Sequence, residues 1–323
     1  MNMPQALLFV QKELAQVEKE MQRLIDTRNP RLQEAAHYFL RAAGKKMRPA
    51  LVLIAGKSYR EKMGENIIHA AVALEFIHLA SLVHDDIIDQ SHRRRGIATV
   101  NNRWDNRTAV LLGDYFFGKA LGEAAKCGSA AVKIMAELVE CLVSGECSQW
   151  EDINNRSVSE EDYYRRIEMK TARFVAICCR LGAMAGKAPV DQQEALATYG
   201  KNLGMAYQIR DDILDLIGDE QNTGKPKLSD LSNGHFTLPV IHALHEGRYR
   251  KELAELLSTS PEIDQSVWPK INHLLHVGGS ISYTMGRVKT YIDLAKESLQ
   301  PLPRGMGYQS LYNIADFTEQ RMS

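Results

Sequence analysis

Two stretches of this sequence, HDDIID at 84–89 and RDDILD at 210–215, each set three aspartates in the same spacing. At 100° per residue, Asp85 and Asp89 project from nearly one face of a helix, a turn apart, and Asp211 and Asp215 do likewise. Like charges so placed weaken a helix by about 0.2–0.5 kcal/mol per pair. Both sets also close apolar runs, LASLVH and MAYQIR, where a helix end disfavours anions. A divalent cation would reverse both penalties. Hard carboxylate oxygens, with no thiols and no surrounding His set, favour Mg²⁺ over zinc. Mg²⁺ usually keeps several waters and adds a substrate's phosphates to one or two carboxylates. Asp85, Asp86, Asp89, Asp211, Asp212 and Asp215 are therefore the candidate metal ligands. Solvated acidic helix ends are the plainer alternative, but two copies sharing the same internal aliphatics argue against it.

Basic residues answer the acids. Arg93, Arg94 and Arg95 follow the first set and end at Gly96; GKKMRP at 44–49 supplies Lys45, Lys46 and Arg48; Lys170 and Lys225 come later. Guanidinium groups bind phosphate oxygens in pairs, and lysine serves as a point charge. Taken singly, each such group reads as solvated surface. The GxxxxGK[ST] phosphate loop is absent. His78, seven residues before Asp85, and Gln208, three before Asp211, fit either core hydrogen bonding or a site role.

The elements that must position these groups are helices. Apolar residues recur at three and four in LLFVQKELAQVEKEMQRLI, IIHAAVALEFIHLASLV and ALATYGKNLGMAYQIRDDILDLI, and no run of period-two alternation appears. Pro49 and Pro239 sit where first-turn prolines start helices. With 323 residues, 45% hydrophobic and without a low-complexity linker, the expectation is an all-α fold. We expect a single domain over 1–323, a large bundle of ten or more helices around a central substrate cavity. Lys plus Arg and Asp plus Glu are equal at 40 each, so overall charge gives no case for a nucleic-acid partner. Five cysteines without ligand spacing read as free thiols in a reducing cytoplasm. The N-terminal apolar stretch is too short for a signal peptide, and the longest elsewhere, 70–83, is too short to span a bilayer.

On these residues the sequence resembles the trans-type isoprenyl diphosphate synthases. The likeness runs through GKKMRP, HDDIID, HRRRG, GDYFF at 113–117, Lys170-Thr171, QIRDDILDL and GKPKLSDL at 224–231. It is nearest to the bacterial long-chain members, hexaprenyl and heptaprenyl diphosphate synthases, especially the catalytic component of two-component enzymes. The resemblance implies that both acid sets hold Mg²⁺ and, through it, an allylic diphosphate. Arg94, Lys170 and Lys225 would stabilise the leaving diphosphate, with Thr171 and Gln208 touching the same substrate. Lys45, Arg48, His78 and Arg95 would bind isopentenyl diphosphate. It further implies a homodimer, or a heterodimer with a small regulatory subunit, and a product that becomes a quinone side chain. Two positions depart from the family's GGKRxRP: Ala43 replaces its first Gly and Lys46 its inner Arg.

Product length is read from the residues before the first acid set. Leu74, Ile77, Ala80 and Ser81 line the expected path of the growing tail. Short-chain relatives often carry an aromatic where this chain has Ala80 or Ser81, so the expectation is a hexaprenyl to octaprenyl product. Phe76, Phe116 and Phe117 are either a deeper floor or ordinary core aromatics. The alternatives are a farnesyl or geranylgeranyl diphosphate synthase, or a chain active only with a different partner. A terpene cyclase or a purely regulatory subunit would not be expected to keep both DDxxD sets.

Overall fold

A computed structural model describes residues 3–41, 44, 46–60, 64–217, 229–259 and 267–320. The expected all-α fold of ten or more helices is what the chain adopts. Its contacts form two compact units. One comprises Met1–Val139, Val175–Gly200 and Ser298–Ile314; the other comprises Glu140–Phe174, Lys201–Glu297 and Ala315–Ser323.

The first unit is built on helices Met47–Lys57, Glu65–Ile88 and Asn106–Lys126. Met47–Lys57 is buried from Pro49 through Gly56, and Glu65–Ile88 is apolar on nearly every side, as core helices are. Pro49 stands in the first turn, as its position predicts. A side chain at Gly182 would collide with the Val52 carbonyl, so glycine there permits the close approach of backbone to the Met47–Lys57 helix. Glu65–Ile88 extends beyond the 70–83 stretch at both ends. By length and composition it could cross a bilayer, but 67% of its apolar window is buried within the protein. It is a core helix of this unit.

One feature departs from the all-helical expectation. Arg93–Arg94 pairs antiparallel with Ile97–Ala98, Arg93 opposite Ala98 and Arg94 opposite Ile97. The two turn residues, Arg95 and Gly96, have φ of 51° and 81°. Positive φ at both positions is the two-residue turn that matches strand twist, and Gly96 adopts it without steric cost. The hairpin is too short to leave a period-two signature.

The second unit carries helices Glu160–Ile167 and Leu238–His245, most of Val190–Ile217, and nearly all of Ser280–Ser298. Ser159 and Asp162 cap the first reciprocally, side chain to backbone in both directions. Pro239 occupies the first turn of the second. Its core includes Tyr163, Phe174, Ile209, Ile213, Leu216, Leu238 and Val240.

Candidate active site

The first acid set lies at the C-terminal end of Glu65–Ile88. Asp89 is the capping residue, its N–H bonded to the Asp85 carbonyl at 2.8 Å. Gln90 follows with φ 50°, and the Ser91 N–H reaches the Asp86 carbonyl at 2.9 Å. This αL closure ends the helix where the acids sit. The three carboxylates then part ways. Asp89 is exposed and Asp85 partly so, whereas Asp86 is only 2% exposed. Asp86 Oδ1 accepts a 2.8 Å hydrogen bond from Arg94 Nε, delivered by the hairpin. Asn101 Nδ2, just past the hairpin, donates to the carbonyls of both Asp86 and Ser91, tying the segment after the hairpin to the helix end.

The predicted basic side also gathers. Arg48 Nη1 donates to His78 Nε2 at 3.2 Å, which requires the neutral ring. Burial and the positive charges of Arg48, Arg95 and Arg94 hold His78 well below its ordinary range. A side chain at Gly44 would collide with the Arg95 guanidinium, so the GKK glycine makes room for that arginine. Lys46 instead pairs with Glu18. Lys45 and Lys225 lie outside the described residues. Sequence reasoning missed Glu75, which is 3% exposed beside this cluster. Burial raises its carboxyl above the ordinary range, and Arg48, Lys46 and Arg95 pull it back. Its signal was visible: an acid inside an apolar helical run needs a charged neighbour.

Of the predicted tail wall, Leu74, Ile77 and Ala80 are buried, and Ser81 Oγ donates to the His78 carbonyl at 2.9 Å. Phe76 and Phe116 pack at 5.6 Å between ring centroids, and Phe39 joins Phe116 at 6.3 Å. Phe117 lies against His84, with ring centroids 5.8 Å apart. His84 in turn rests where a side chain at Gly113 would stand, which accounts for the glycine of GDYFF.

The second acid set has the same internal layout. Asp212 is buried, while Asp211 and Asp215 are partly exposed. Asp212 accepts from Tyr163 Oη at 2.6 Å and from Gln208 Nε2 at 2.8 Å, and Thr171 Oγ1 donates to Gln208 Oε1 at 2.8 Å. Burial, with the negative charges of Asp230 and Asp211, pushes the Asp212 carboxyl up to about 8. Asp230, missed in the sequence, donates its backbone N–H to Asp215 Oδ2 at 3.2 Å. Thr171 and Lys170 sit on a π-helical turn, Glu168–Ala172, a distortion frequent at functional sites. Lys170 Nζ contacts Glu146 at 2.7 Å and Gln149 at 3.0 Å. Tyr163 was also missed; nothing in its local sequence marks it as the partner of an acid 49 residues away.

This donor set fits a hard divalent cation. The second motif sets hard carboxylates close together, and burial first, then the negative charges of Asp230 and Asp211, raises Asp212. In both motifs the middle acid is buried while the two others keep some exposure, and hydrogen bonds from neighbouring groups orient the carboxylates as a metal site requires. Among the described residues, Glu20, His69 and Glu123 also cluster. Those groups are already matched: Arg23 to Glu20, Lys126 and His69 to Glu123.

Residues 29–274 match the polyprenyl synthetase family. Over 314 residues the chain is 37% identical to heptaprenyl diphosphate synthase component 2 of Geobacillus stearothermophilus, with 97% of each chain covered. The chain belongs to the polyprenyl synthetase family. It is an enzyme of the trans-prenyltransferase class. The decaprenyl diphosphate synthase from Rhodobacter capsulatus has the same fold, with a TM-score of 0.92 at 30% identity over 100% of both chains. The polyprenyl synthase from Caulobacter crescentus CB15, solved with calcium and isoprenyl diphosphate, gives 0.92 at 26% identity, covering 100% of this chain and 98% of that one. Among polyprenyl synthetases, this chain's likeness to long-chain enzymes accords with the small residues Ala80 and Ser81.

Proposed function

We propose that this enzyme joins isopentenyl diphosphate to an allylic diphosphate and repeats the step to give a hexaprenyl to octaprenyl diphosphate. The observation that carries the reading is the shared layout of the acid sets: a buried middle aspartate held from within, flanked by two more exposed ones. Asp85, Asp89, Asp211 and Asp215 would hold Mg²⁺ and the allylic diphosphate, with Asp86 and Asp212 fixing the ends of their helices. Magnesium, when bound, supplies Lewis-acid stabilisation of the departing diphosphate. Arg94, Lys170 and Lys225 add fixed positive charge where negative charge develops. Thr171 and Gln208 orient Asp212 and border the same substrate.

Arg48, Arg95, Lys45 and His78 hold isopentenyl diphosphate. Neutral His78 accepts from Arg48 and aims it without adding repulsion to the basic cluster. The double bond of isopentenyl diphosphate attacks the allylic carbon as the C–O bond breaks. The proton lost as the new double bond forms passes to the departing diphosphate, so no protein base is needed, and with the alkene as attacking group no protein nucleophile is needed either. Small residues at Ala80 and Ser81 leave the tail's path open toward Leu74 and Ile77.

The whole chain, 1–323, works as one catalytic domain in the cytoplasm, and its product serves quinone side chains. It acts as a dimer, either with itself or with a small regulatory subunit; the name of the Geobacillus relative, component 2, supports the latter. Diphosphate release from farnesyl and isopentenyl diphosphates, measured for the purified chain alone and with proteins from neighbouring genes, tests this. Release by either preparation, lost in Asp85→Asn and Asp211→Asn, is expected. Undiminished release in both variants would contradict the assignment.

A further inference from the structure

The second acid set contains a cation to which the reading above gives no role. Arg210 immediately precedes Asp211, and its side chain is 1% exposed. Its Nη2 donates to Asp211 Oδ1 at 2.7 Å, and its guanidinium lies 4.4 Å from the centre of the Tyr207 ring. Its Nε is buried and has no hydrogen-bond partner among the described residues. A guanidinium this deeply buried needs an anion, and Asp211 supplies it. Asp211 is therefore already engaged before any substrate arrives. One of its oxygens is bonded to Arg210, while the side chain as a whole remains 40% exposed.

This arrangement has opposite effects on two ligands. A bare divalent cation approaching Asp211 meets a fixed positive charge close behind the carboxylate. A cation carried with a diphosphate brings negative charge of its own, and the guanidinium no longer opposes it. We propose that Arg210 is a positioning residue, a built-in counter-ion to Asp211 that makes cation uptake at the second acid set depend on a bound diphosphate. This deepens the proposed function and rests on its reading of that set as a divalent-cation site.

The test is protein-bound Mn²⁺, measured for the full chain by equilibrium dialysis against a protein-free chamber holding the same pyrophosphate. Asp85→Asn and Asp89→Asn are present throughout to silence the first set. Without diphosphate, Arg210→Met should tighten Mn²⁺ binding by about tenfold, the scale on which outer-shell partners move metal affinity. With inorganic pyrophosphate present, the difference from the parent should shrink. Unchanged or weaker binding in Arg210→Met would overturn the proposal. Should that variant fail to fold by circular dichroism, Arg210→Gln carries the same expectation and the same contrary result. Adding Asp211→Asn and Asp215→Asn separates the two levels. If Mn²⁺ uptake with pyrophosphate survives those changes, the second set is not the cation site, and the underlying reading falls with the proposal.

Discussion

Arg94, on the first strand of the hairpin, reaches back to Asp86, Nε to Oδ1 at 2.8 Å, and closes the first acid set onto its own following loop. Asp86 is 2% exposed at the side chain and Arg94 25%. Removing the arginine would leave a buried carboxylate without this partner. Arg94→Met should therefore cost about 2 kcal/mol, below the full value for a buried pair because Arg94 is partly solvated. Urea unfolding should show a lower midpoint with an unchanged slope. A midpoint equal to wild type would show that the pair does not anchor the helix end.

The raised carboxyl of Asp212 gives a pH dependence with a definite sign. Its folded pKa, about 8, lies above the unfolded aspartate value. The protonated form is thus favoured by folding; its contribution is complete below the unfolded pKa and is lost as pH rises through the folded one. Metal-free protein should melt at a lower temperature at pH 8.5 than at pH 5.5. Asp212→Asn should flatten that slope and abolish prenyl transfer. Mg²⁺ with inorganic pyrophosphate should restore the wild-type melting temperature at the higher pH. A slope identical in wild type and Asp212→Asn would contradict the assignment.

His78 makes the opposite prediction. Its folded pKa is depressed, so its contribution is present above the ordinary histidine value and lost as pH falls through the folded value. Because Arg48 donates to Nε2, the ring proton must reside on Nδ1. Nitrogen chemical shifts of labelled His78 should report that neutral tautomer well below pH 6.5. A ring that titrates at its ordinary value would remove the Arg48 hydrogen bond from the account.

Product length should answer to two substitutions. Ser81→Phe places an aromatic one turn before Asp85 and should shorten the main product. Phe76→Ala opens the Phe39–Phe76–Phe116 cluster; it should lengthen the product if those rings form a floor, and cost about 3 kcal/mol as a core truncation. Chromatography of dephosphorylated products reads the first effect and denaturant unfolding the second. An unchanged chain length in Ser81→Phe would contradict the path assigned to the tail.

Much of this site was legible because its chemistry lies in short, regular spacings. The two DDxxD sets, the helices that carry them and the first-turn prolines Pro49 and Pro239 all follow from local rules. The RRRG run marked candidate phosphate-binding groups, but not that Arg94 would turn inward onto Asp86. That depends on a two-residue turn built on Arg95 and Gly96, too short for periodicity to detect. Tyr163 and Asp230 were illegible for another reason. Each meets the second acid set through tertiary packing, and neither residue type is unusual where it stands. Glu75 and Arg210 were half-legible: a charge within an apolar helical run signals a buried partner, but the sequence does not name which partner.

The most direct test is elongation itself. The purified chain, with its partner subunit if one is required, is incubated with Mg²⁺, farnesyl diphosphate and labelled isopentenyl diphosphate, beside an EDTA control. A metal-dependent polyprenyl diphosphate in the hexaprenyl to octaprenyl range is expected, absent with EDTA and in Asp85→Asn. A folded preparation that yields no elongated product with or without partner, or one that elongates equally well in EDTA, would contradict the proposed function.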